Sequence, residues 1–214
     1  MRKHRCIVFD FDGTLVDSNK IKKDVFLYVA SLYGGHSAMS IVLNETSGDR
    51  HQIMTAFSSV IDTKKTVDNL VVEYSQYADL AVAKAKSFPG AESLLRALHD
   101  SGKLVFLSSA TPINSLREII NYRGWQGLFH GIYGMPSSKT NTLQELIKQE
   151  KLKVEEVAVV GDGEDDFESA KIIGCHFFPV GEARGIAPSR PIYSLVDLRN
   201  IFLYEESNSN NLSY

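Results

Sequence analysis

The sequence predicts an α/β fold, a doubly wound parallel (Rossmann-like) sheet with a helical segment inserted after the first strand. Short, almost continuously apolar runs recur along the chain, as expected of strands that are buried on both faces of a sheet. Segments with helical periodicity lie between these runs, and this alternation is typical of parallel α/β sheets. The chain has 214 residues, of which 43% are hydrophobic, and this is enough to bury such a core.

Four apolar runs are predicted to be strands, because each contains β-branched or aromatic residues and ends in a polar or glycine-containing turn. These runs are Cys6–Phe9 and residues 103–107, 157–160 and 176–180. The helical patterns that follow the inserted segment place leucine and isoleucine side chains on one face. They cover residues 91–99, 114–122, 142–149 and 166–173.

The inserted segment interrupts the α/β alternation directly after the first strand. It contains helical patterns over residues 21–33, 50–60 and 66–86 but no convincing buried strand. The chain re-enters the α/β pattern at Phe88-Pro89-Gly90, a credible turn. We therefore predict three parts, which are a core of residues 1–16 and 88–205, a helical insert of residues 17–87, and a flexible polar tail of residues 206–214.

The composition argues against several classes of partner and location. Lysine and arginine together number 23 against 26 acidic residues, a formal net charge of −3, which offers no electrostatic case for nucleic acid or an anionic membrane. No run approaches the ~20 apolar residues of a membrane span, and no signal-peptide core is present. We expect a cytoplasmic protein. Cys6 and Cys175 lie in apolar runs and are expected to be buried free thiols.

Polar residues follow three of the predicted strands at their carboxyl ends, where ligands bind in doubly wound sheets. These motifs are Asp10-Phe11-Asp12-Gly13-Thr14, Ser108-Ser109 and Gly161-Asp162-Gly163-Glu164-Asp165-Asp166. If the strands are neighbours, Asp10, Asp12, Asp162 and Asp166 converge, and such a cluster repels itself unless a cation neutralises it. Ligation by carboxylate oxygens with room for water suits Mg²⁺.

The order of these motifs resembles that of the haloacid dehalogenase superfamily. The matching residues are Asp10-Phe11-Asp12-Gly13-Thr14, Ser108, Lys139, and Gly161-Asp162 followed by Asp166. The resemblance covers about residues 5–16 and 88–180, each motif being preceded by its hydrophobic strand. The helical insert resembles the small cap of the phosphoglycolate phosphatase and β-phosphoglucomutase branch.

The resemblance implies a Mg²⁺-dependent phosphatase that acts on a small phosphorylated metabolite, a class that includes sugar phosphates, through an aspartyl-phosphate intermediate. Asp10 would attack phosphorus. Asp12 would protonate the leaving oxygen and then deprotonate the attacking water. Ser108 would donate a hydrogen bond to the phosphoryl group, and Lys139 would offset charge on Asp10 and on that group.

The same resemblance assigns the metal and phosphate ligands. Asp10, the backbone carbonyl of Asp12 and Asp162 would hold Mg²⁺, and Asp166 would ligate it or orient a metal-bound water. Asp165 is the alternative candidate for this outer metal-binding role, but the spacing of the motif favours Asp166. The amide groups around Gly13 and Thr14, and that of Ser109, would cradle the phosphate oxygens.

In capped relatives the helical insert contacts the leaving group of the substrate. Its best candidate loop is Ser47-Gly48-Asp49-Arg50-His51, and Arg50 could pair bidentately with a second phosphate or a carboxylate. The alternative is that Arg50 is an ordinary residue at a helix N-terminus capped by Asp49. Both alternatives are open on the sequence alone.

Several other functions are weighed against the phosphatase. A phosphomutase of the β-phosphoglucomutase type would recycle the aspartyl-phosphate, but its usual histidine soon after the first motif is absent here. Phosphonate cleavage would require a lysine from the insert for a Schiff base, and no lysine stands out there. Dehalogenation is disfavoured because Asp12 is present. A non-catalytic binding protein on the same fold is the alternative from another class. A monomer or weak homodimer is expected.

Overall fold

The computed structural model of the chain describes residues 4–46, 48–181 and 193–204. Within these residues lies a sheet of five parallel strands in the order β3-β2-β1-β4-β5. The strands are β1 (Cys6–Phe9), β2 (Leu104–Pro112), β3 (Gly131–Met135), β4 (Val157–Gly161) and β5 (His176–Pro179). The chain moves outward from β1 to β3 and then continues on the other side of β1. The predicted doubly wound parallel α/β fold is therefore confirmed.

Helices connect the strands and form the inserted segment. The inserted segment contains α1 (Asn19–Ser31), α2 (His36–Glu45), α3 (Arg50–Val60) and α4 (Val67–Lys84). The remaining described α-helices are α5 (Ala91–Asp100), α6 (Ile113–Tyr122), α7 (Lys139–Gln149), α8 (Glu164–Ile173) and α9 (Leu195–Tyr204). None of the helices in the described ranges combines the length and apolar composition needed to cross a bilayer.

The central strand β1 is buried on both faces, which explains its continuous apolar sequence. Cys6 and Val8 belong to a core cluster that includes Leu146 of α7 and Ala170 of α8. On the opposite face, which alternate residues of a strand occupy, Ile7 is equally buried. Both cysteines are buried free thiols, as predicted, and burial raises their pKa values.

Contacts among the described residues divide the chain after Asp17 and again after Ala85. The segment between these points forms a helical unit with its own core. In that core the rings of Phe26 and Tyr74 stack with their centroids 3.9 Å apart. The rest of the described chain forms the core unit that contains the sheet.

The structure adds elements that the apolar patterns did not predict. Strand β3 lies at the edge of the sheet, is mostly half-buried and contains two glycines, so that it has no continuous apolar run. Helices α2 and α9 were also missed. Strand β2 covers Leu104–Pro112, which corrects the predicted range of residues 103–107. The predicted tail of residues 206–214 lies outside the described residues.

Candidate active site

Strand register brings the three motifs to one edge of the sheet. Phe9, the last residue of β1, pairs with Leu107 of β2 on one side and with Val160 of β4 on the other. Asp10 follows β1 directly, and Ser108 is the next residue of β2; both are buried. The first and second motifs are therefore level with each other, with the third motif beginning on the other side of Asp10.

The segment after β1 turns back on itself over a few residues. Gly13 has a φ of 78°, a conformation that favours glycine, and its amide donates a hydrogen bond to the carbonyl of Val16 at 2.8 Å. The amides of Leu15 and Val16 both donate to the carbonyl of Phe11, whose side chain is fully buried. This turn holds the backbone around Asp12 in place against the core.

Lys139, the first residue of α7, joins the first and last motifs. Its ammonium lies 2.9 Å from Oδ1 of Asp10, 2.7 Å from Oδ1 of Asp166 and 3.0 Å from Oδ2 of Asp165. The lysine side chain is only 10% exposed. The sequence predicted that Lys139 offsets charge on Asp10, and the structure places the two groups in direct contact.

Three carboxylates form a compact cluster. One oxygen from each of Asp10, Asp162 and Asp166 lies within 4.8 Å of the other two. Thr14 supports the cluster because its Oγ1 donates to Oδ1 of Asp162 at 2.9 Å. Asp165 is exposed and is not part of this trio. A group of close oxygen donors of this kind suits a hard divalent cation.

The cluster shifts the ionisation of its members. Burial raises the pKa of Asp10 to about 7, with Lys139 opposing this rise and Asp162 adding to it. Burial likewise raises the pKa of Asp166 well above its usual range, although Lys139 opposes the rise. Burial alone would lower the pKa of Lys139, but the surrounding carboxylates raise it well above its usual value. Without a cation, the site therefore resists carrying all of its negative charge.

The side chain of Asp12 is hydrogen-bonded to hydroxyl groups and does not belong to the cluster of Asp10, Asp162 and Asp166. Oγ1 of Thr111 donates to Oδ2 of Asp12 at 3.0 Å, and Oγ of Ser109 donates to the same oxygen at 3.5 Å. Ser109 also accepts a hydrogen bond from the amide of Thr111 at 3.1 Å. Sequence reasoning missed Thr111, although the run of hydroxyl residues at the end of β2 was a signal for it.

Gly161, the first residue of the third motif, leaves room for the side chain of Asp166. A Cβ atom at this position would lie 2.3 Å from Cγ of Asp166, a distance that side chains do not tolerate. Oδ2 of Asp166 accepts a hydrogen bond from the amide of Gly163 at 3.2 Å. The glycine thus allows the buried carboxylate of Asp166 to fold back over the end of β4.

Arg50 lies in the helical unit and already has partners there. Its guanidinium donates to Oγ of Ser75 at 2.6 Å and to Oδ1 of Asp79 at 3.3 Å, and it lies over the ring of Tyr74. Asp49 caps α3 by accepting hydrogen bonds from the next amides of the helix. These are the contacts of a residue at a capped helix N-terminus, which was the alternative interpretation. That Arg50 contacts substrate stays a prediction.

A comparison with protein families matches the part of the chain that contains these motifs. Residues 7–180 match the sequence profile of the family described as haloacid dehalogenase-like hydrolase. The matched range covers most of the chain and includes every motif of the sheet edge.

Among curated proteins, the chain is 28% identical over 193 residues to a phosphoglycolate phosphatase from Cereibacter sphaeroides. The alignment covers 85% of this chain and 87% of that protein. Another phosphoglycolate phosphatase, from Psychrobacter arcticus, is 25% identical over 174 residues, covering 75% of this chain and 76% of the relative.

Solved structures share the fold. A haloacid dehalogenase-like family hydrolase from Streptococcus pneumoniae superposes with a TM-score of 0.71 at 21% identity, covering 94% of this chain and 100% of the other. At this identity the likeness concerns the fold alone.

Proposed function

The chain belongs to the haloacid dehalogenase-like hydrolases, and on that premise we propose that it is a Mg²⁺-dependent phosphatase that hydrolyses a small phosphorylated metabolite through an aspartyl-phosphate intermediate. The observation that carries the proposal is that two neighbouring carboxylates, Asp10 and Asp12, have different surroundings. Asp10 lies in the acidic cluster beside Lys139, whereas Asp12 is bonded to hydroxyl groups. The curated phosphoglycolate phosphatases support phosphate esters as substrates.

The residues of the cluster fit a magnesium ion by their chemistry. Their donors are carboxylate oxygens that lie close together, and burial raises the pKa values of Asp10 and Asp166, so that a dication would relieve both desolvation and mutual repulsion. We assign the ion to Asp10, Asp162 and the backbone carbonyl of Asp12, with Asp166 as a direct ligand or the partner of a metal-bound water. When bound, Mg²⁺ neutralises charge and provides a template for the phosphoryl oxygens.

The first half of the reaction transfers the phosphoryl group to the protein. A carboxylate oxygen of Asp10 forms a bond to phosphorus while the bond from phosphorus to the ester oxygen breaks. The departing oxygen takes a proton from Asp12. Ser108 and the amides around Gly13 bind the phosphoryl oxygens, and the ammonium of Lys139 balances their charge.

The second half releases phosphate and restores the carboxylate of Asp10. Asp12, now ionised, takes a proton from a water molecule whose oxygen bonds to phosphorus, and the bond between phosphorus and Asp10 breaks. Asp12 must therefore be aimed at two different oxygen atoms in turn. The hydrogen bonds from Thr111 and Ser109 hold its carboxylate for both steps.

The remaining expectations extend this proposal. We propose that the helical unit of residues 17–87 acts as a cap over a core of residues 1–16 and 88–205, that substrates are small metabolites rather than nucleic acids or membranes, and that the protein is a monomer or weak homodimer. The cytoplasmic location stays a prediction. Thr14 and Ser109 are proposed to support phosphate binding next to Gly13.

A phosphate-release assay tests the function. Wild-type protein is measured over a panel of phosphorylated metabolites with Mg²⁺ and with EDTA, beside Asp10→Asn and the exposed control Asp100→Asn. We expect release that requires Mg²⁺, is lost by at least about 10³-fold in Asp10→Asn and is unchanged in Asp100→Asn. Substantial activity of Asp10→Asn would remove Asp10 as the nucleophile. Phosphorylation of Asp10 without release of phosphate would favour a mutase.

A further inference from the structure

The side chain of Thr14 connects the first motif of the site to the third. Its Oγ1 donates a hydrogen bond to Oδ1 of Asp162 at 2.9 Å, and Thr14 is only 1% exposed. Asp162 is one of the three carboxylates of the acidic cluster. The motif resemblance implied a role in phosphate binding for the backbone amide of Thr14, but none for its hydroxyl. The contact of this hydroxyl with the acidic cluster is therefore a finding of the structure.

Hydrogen bonds on both sides of Thr14 hold the backbone that carries it. The amide of Gly13 donates to the carbonyl of Val16 at 2.8 Å, and the amide of Leu15 donates to the carbonyl of Phe11 at 3.0 Å. The side chains of Phe11 and Leu15 are fully buried. A threonine side chain is also restricted in χ1, because its β-carbon is branched. The hydroxyl of Thr14 is therefore a donor whose position is fixed by the core.

The backbone near Asp162 is equally confined. The carbonyl of Gly161, directly before it, accepts a hydrogen bond from the amide of Val180 at 3.1 Å. Gly181 packs so closely that a Cβ atom there would lie 3.5 Å from Cβ of Asp162 and 2.8 Å from the carbonyl oxygen of Gly13. The base of the Asp162 side chain is therefore held in place, and the hydrogen bond from Thr14 orients the carboxylate at its end.

An oriented carboxylate distinguishes between cations that differ in ligand geometry. Mg²⁺ demands a near-ideal octahedron of oxygen ligands, whereas Ca²⁺ accepts flexible arrangements in which a carboxylate can bind through both of its oxygens. The bond from Thr14 uses part of the acceptor capacity of Oδ1 of Asp162 and so disfavours binding through both oxygens. Loss of a hydrogen bond that orients a metal ligand typically lowers metal affinity by about 10- to 100-fold.

We propose that the hydroxyl of Thr14 positions Asp162 as a metal ligand and thereby favours Mg²⁺ over Ca²⁺ at the cluster of Asp10, Asp162 and Asp166. The inference rests on the metal site of the proposed function. It adds a positioning residue to that site and a physical basis for its choice of cation.

The test measures cation binding by the whole chain in the absence of substrate. Thr14→Val keeps the branched shape of the side chain and replaces the hydroxyl with a methyl group. The Kd for each cation is obtained from the rise of the thermal denaturation midpoint with increasing Mg²⁺ or Ca²⁺. We expect Thr14→Val to weaken Mg²⁺ binding by about 10- to 100-fold. Ca²⁺ binding should weaken by less than about three-fold, because Ca²⁺ tolerates a less strictly oriented ligand.

Two further variants separate the hydroxyl from the shape and burial of the side chain. Thr14→Ser retains the hydroxyl and should keep the affinity for Mg²⁺ within about three-fold of the wild type. Thr142→Val is the matched control, because Thr142 is also fully buried but its Oγ1 is hydrogen-bonded to Ser137 at 3.2 Å, and Thr142 is not part of the acidic cluster. It should leave both Kd values unchanged.

The denaturation midpoint without added cation reports whether each variant is folded. If Thr14→Val shows no cooperative transition, Thr14→Ala provides the same comparison, because it removes the hydroxyl without adding an atom. The expected Mg²⁺ and Ca²⁺ effects are the same for this variant.

The outcomes separate the inference from the proposed function. If neither cation stabilises the wild type, the proposed metal site fails and the inference fails with it. If Mg²⁺ stabilises the wild type but Thr14→Val binds it equally well, the metal site stands and Thr14 does not position Asp162. An equal loss for Mg²⁺ and Ca²⁺ would overturn the role of Thr14 in the choice of cation. A loss in Thr14→Ser as large as that in Thr14→Val would show that the hydroxyl is not the cause.

Discussion

The hydrogen bond between Thr111 and Asp12 offers the sharpest test of the proposed chemistry. Thr111 is buried at the end of β2, and its Oγ1 lies 3.0 Å from Oδ2 of Asp12. Thr111→Val keeps the branched shape of the side chain and replaces the hydroxyl with a methyl group. The carboxylate then loses this bond and keeps the longer one from Ser109, at 3.5 Å. We expect Asp12 to be aimed less well at the leaving oxygen.

The size of the expected loss in kcat/KM follows from the type of hydrogen bond that Thr111→Val removes. A hydrogen bond to a charged group contributes about 1.5–3 kcal/mol. If this contribution is made in the transition state, its loss lowers kcat/KM by about ten- to one hundred-fold. Thr111 is a positioning residue, so the loss should fall on the proton transfer by Asp12 and not on the attack by Asp10.

The assay separates these steps by leaving group. An alkyl phosphate needs a proton from Asp12 on its departing oxygen, whereas p-nitrophenyl phosphate releases a stable phenolate. In kcat/KM, which reports the steps up to departure of the leaving group, Thr111→Val should therefore lose the full factor with the alkyl phosphate and less than about three-fold with p-nitrophenyl phosphate. Thr111→Ser retains a hydroxyl and should recover most of the activity. An equal loss with both substrates, or no loss at all, would refute the positioning role.

Three further predictions concern the metal and the helical unit. Saturating Mg²⁺, at about one hundred times its Kd, should stabilise the wild type by about 2.7 kcal/mol in thermal denaturation. Asp162→Asn should abolish this stabilisation by Mg²⁺. Equal stabilisation of that variant would contradict the assigned ligands. Protons should compete with Mg²⁺, because Asp10 has a pKa of about 7 in the metal-free protein and must be ionised to bind the ion. The affinity for Mg²⁺, measured by calorimetry, should therefore fall from pH 8 to pH 6. An affinity that is constant over this range would exclude Asp10 as a ligand. Arg50→Ala should destabilise the helical unit by about 1–3 kcal/mol, through loss of the bonds to Ser75 and Asp79. If the predicted substrate contact also exists, KM for the true substrate will rise far more than KM for an aryl phosphate, whereas equal KM changes would leave Arg50 with a structural role.

Local sequence patterns were sufficient for much of the fold. The apolar run before Asp10 predicts a buried strand, and β1 follows it residue for residue. Strand β3 escaped prediction because an edge strand that is half-buried does not need a continuous apolar sequence. Helix α2 begins after a glycine without a side-chain cap, so the usual signal of a helix start was absent.

For the candidate site, the sequence by itself determined which residues are the candidates for the chemistry. Asp10, Asp12, Asp162 and Asp166 each stand at or shortly after the end of an apolar run, and a parallel sheet brings such ends to one edge. Their identity and order needed no knowledge of long-range contacts.

Only the tertiary structure decided how these groups are partnered. The bond from Thr111 to Asp12, the three carboxylates around Lys139 and the contacts of Arg50 with Ser75 depend on strand register and on the packing of distant helices. A hydrogen bond requires atoms to meet within about 3 Å. Residue type and spacing along the chain indicate that a group can form such a bond, but the folded backbone selects its partner.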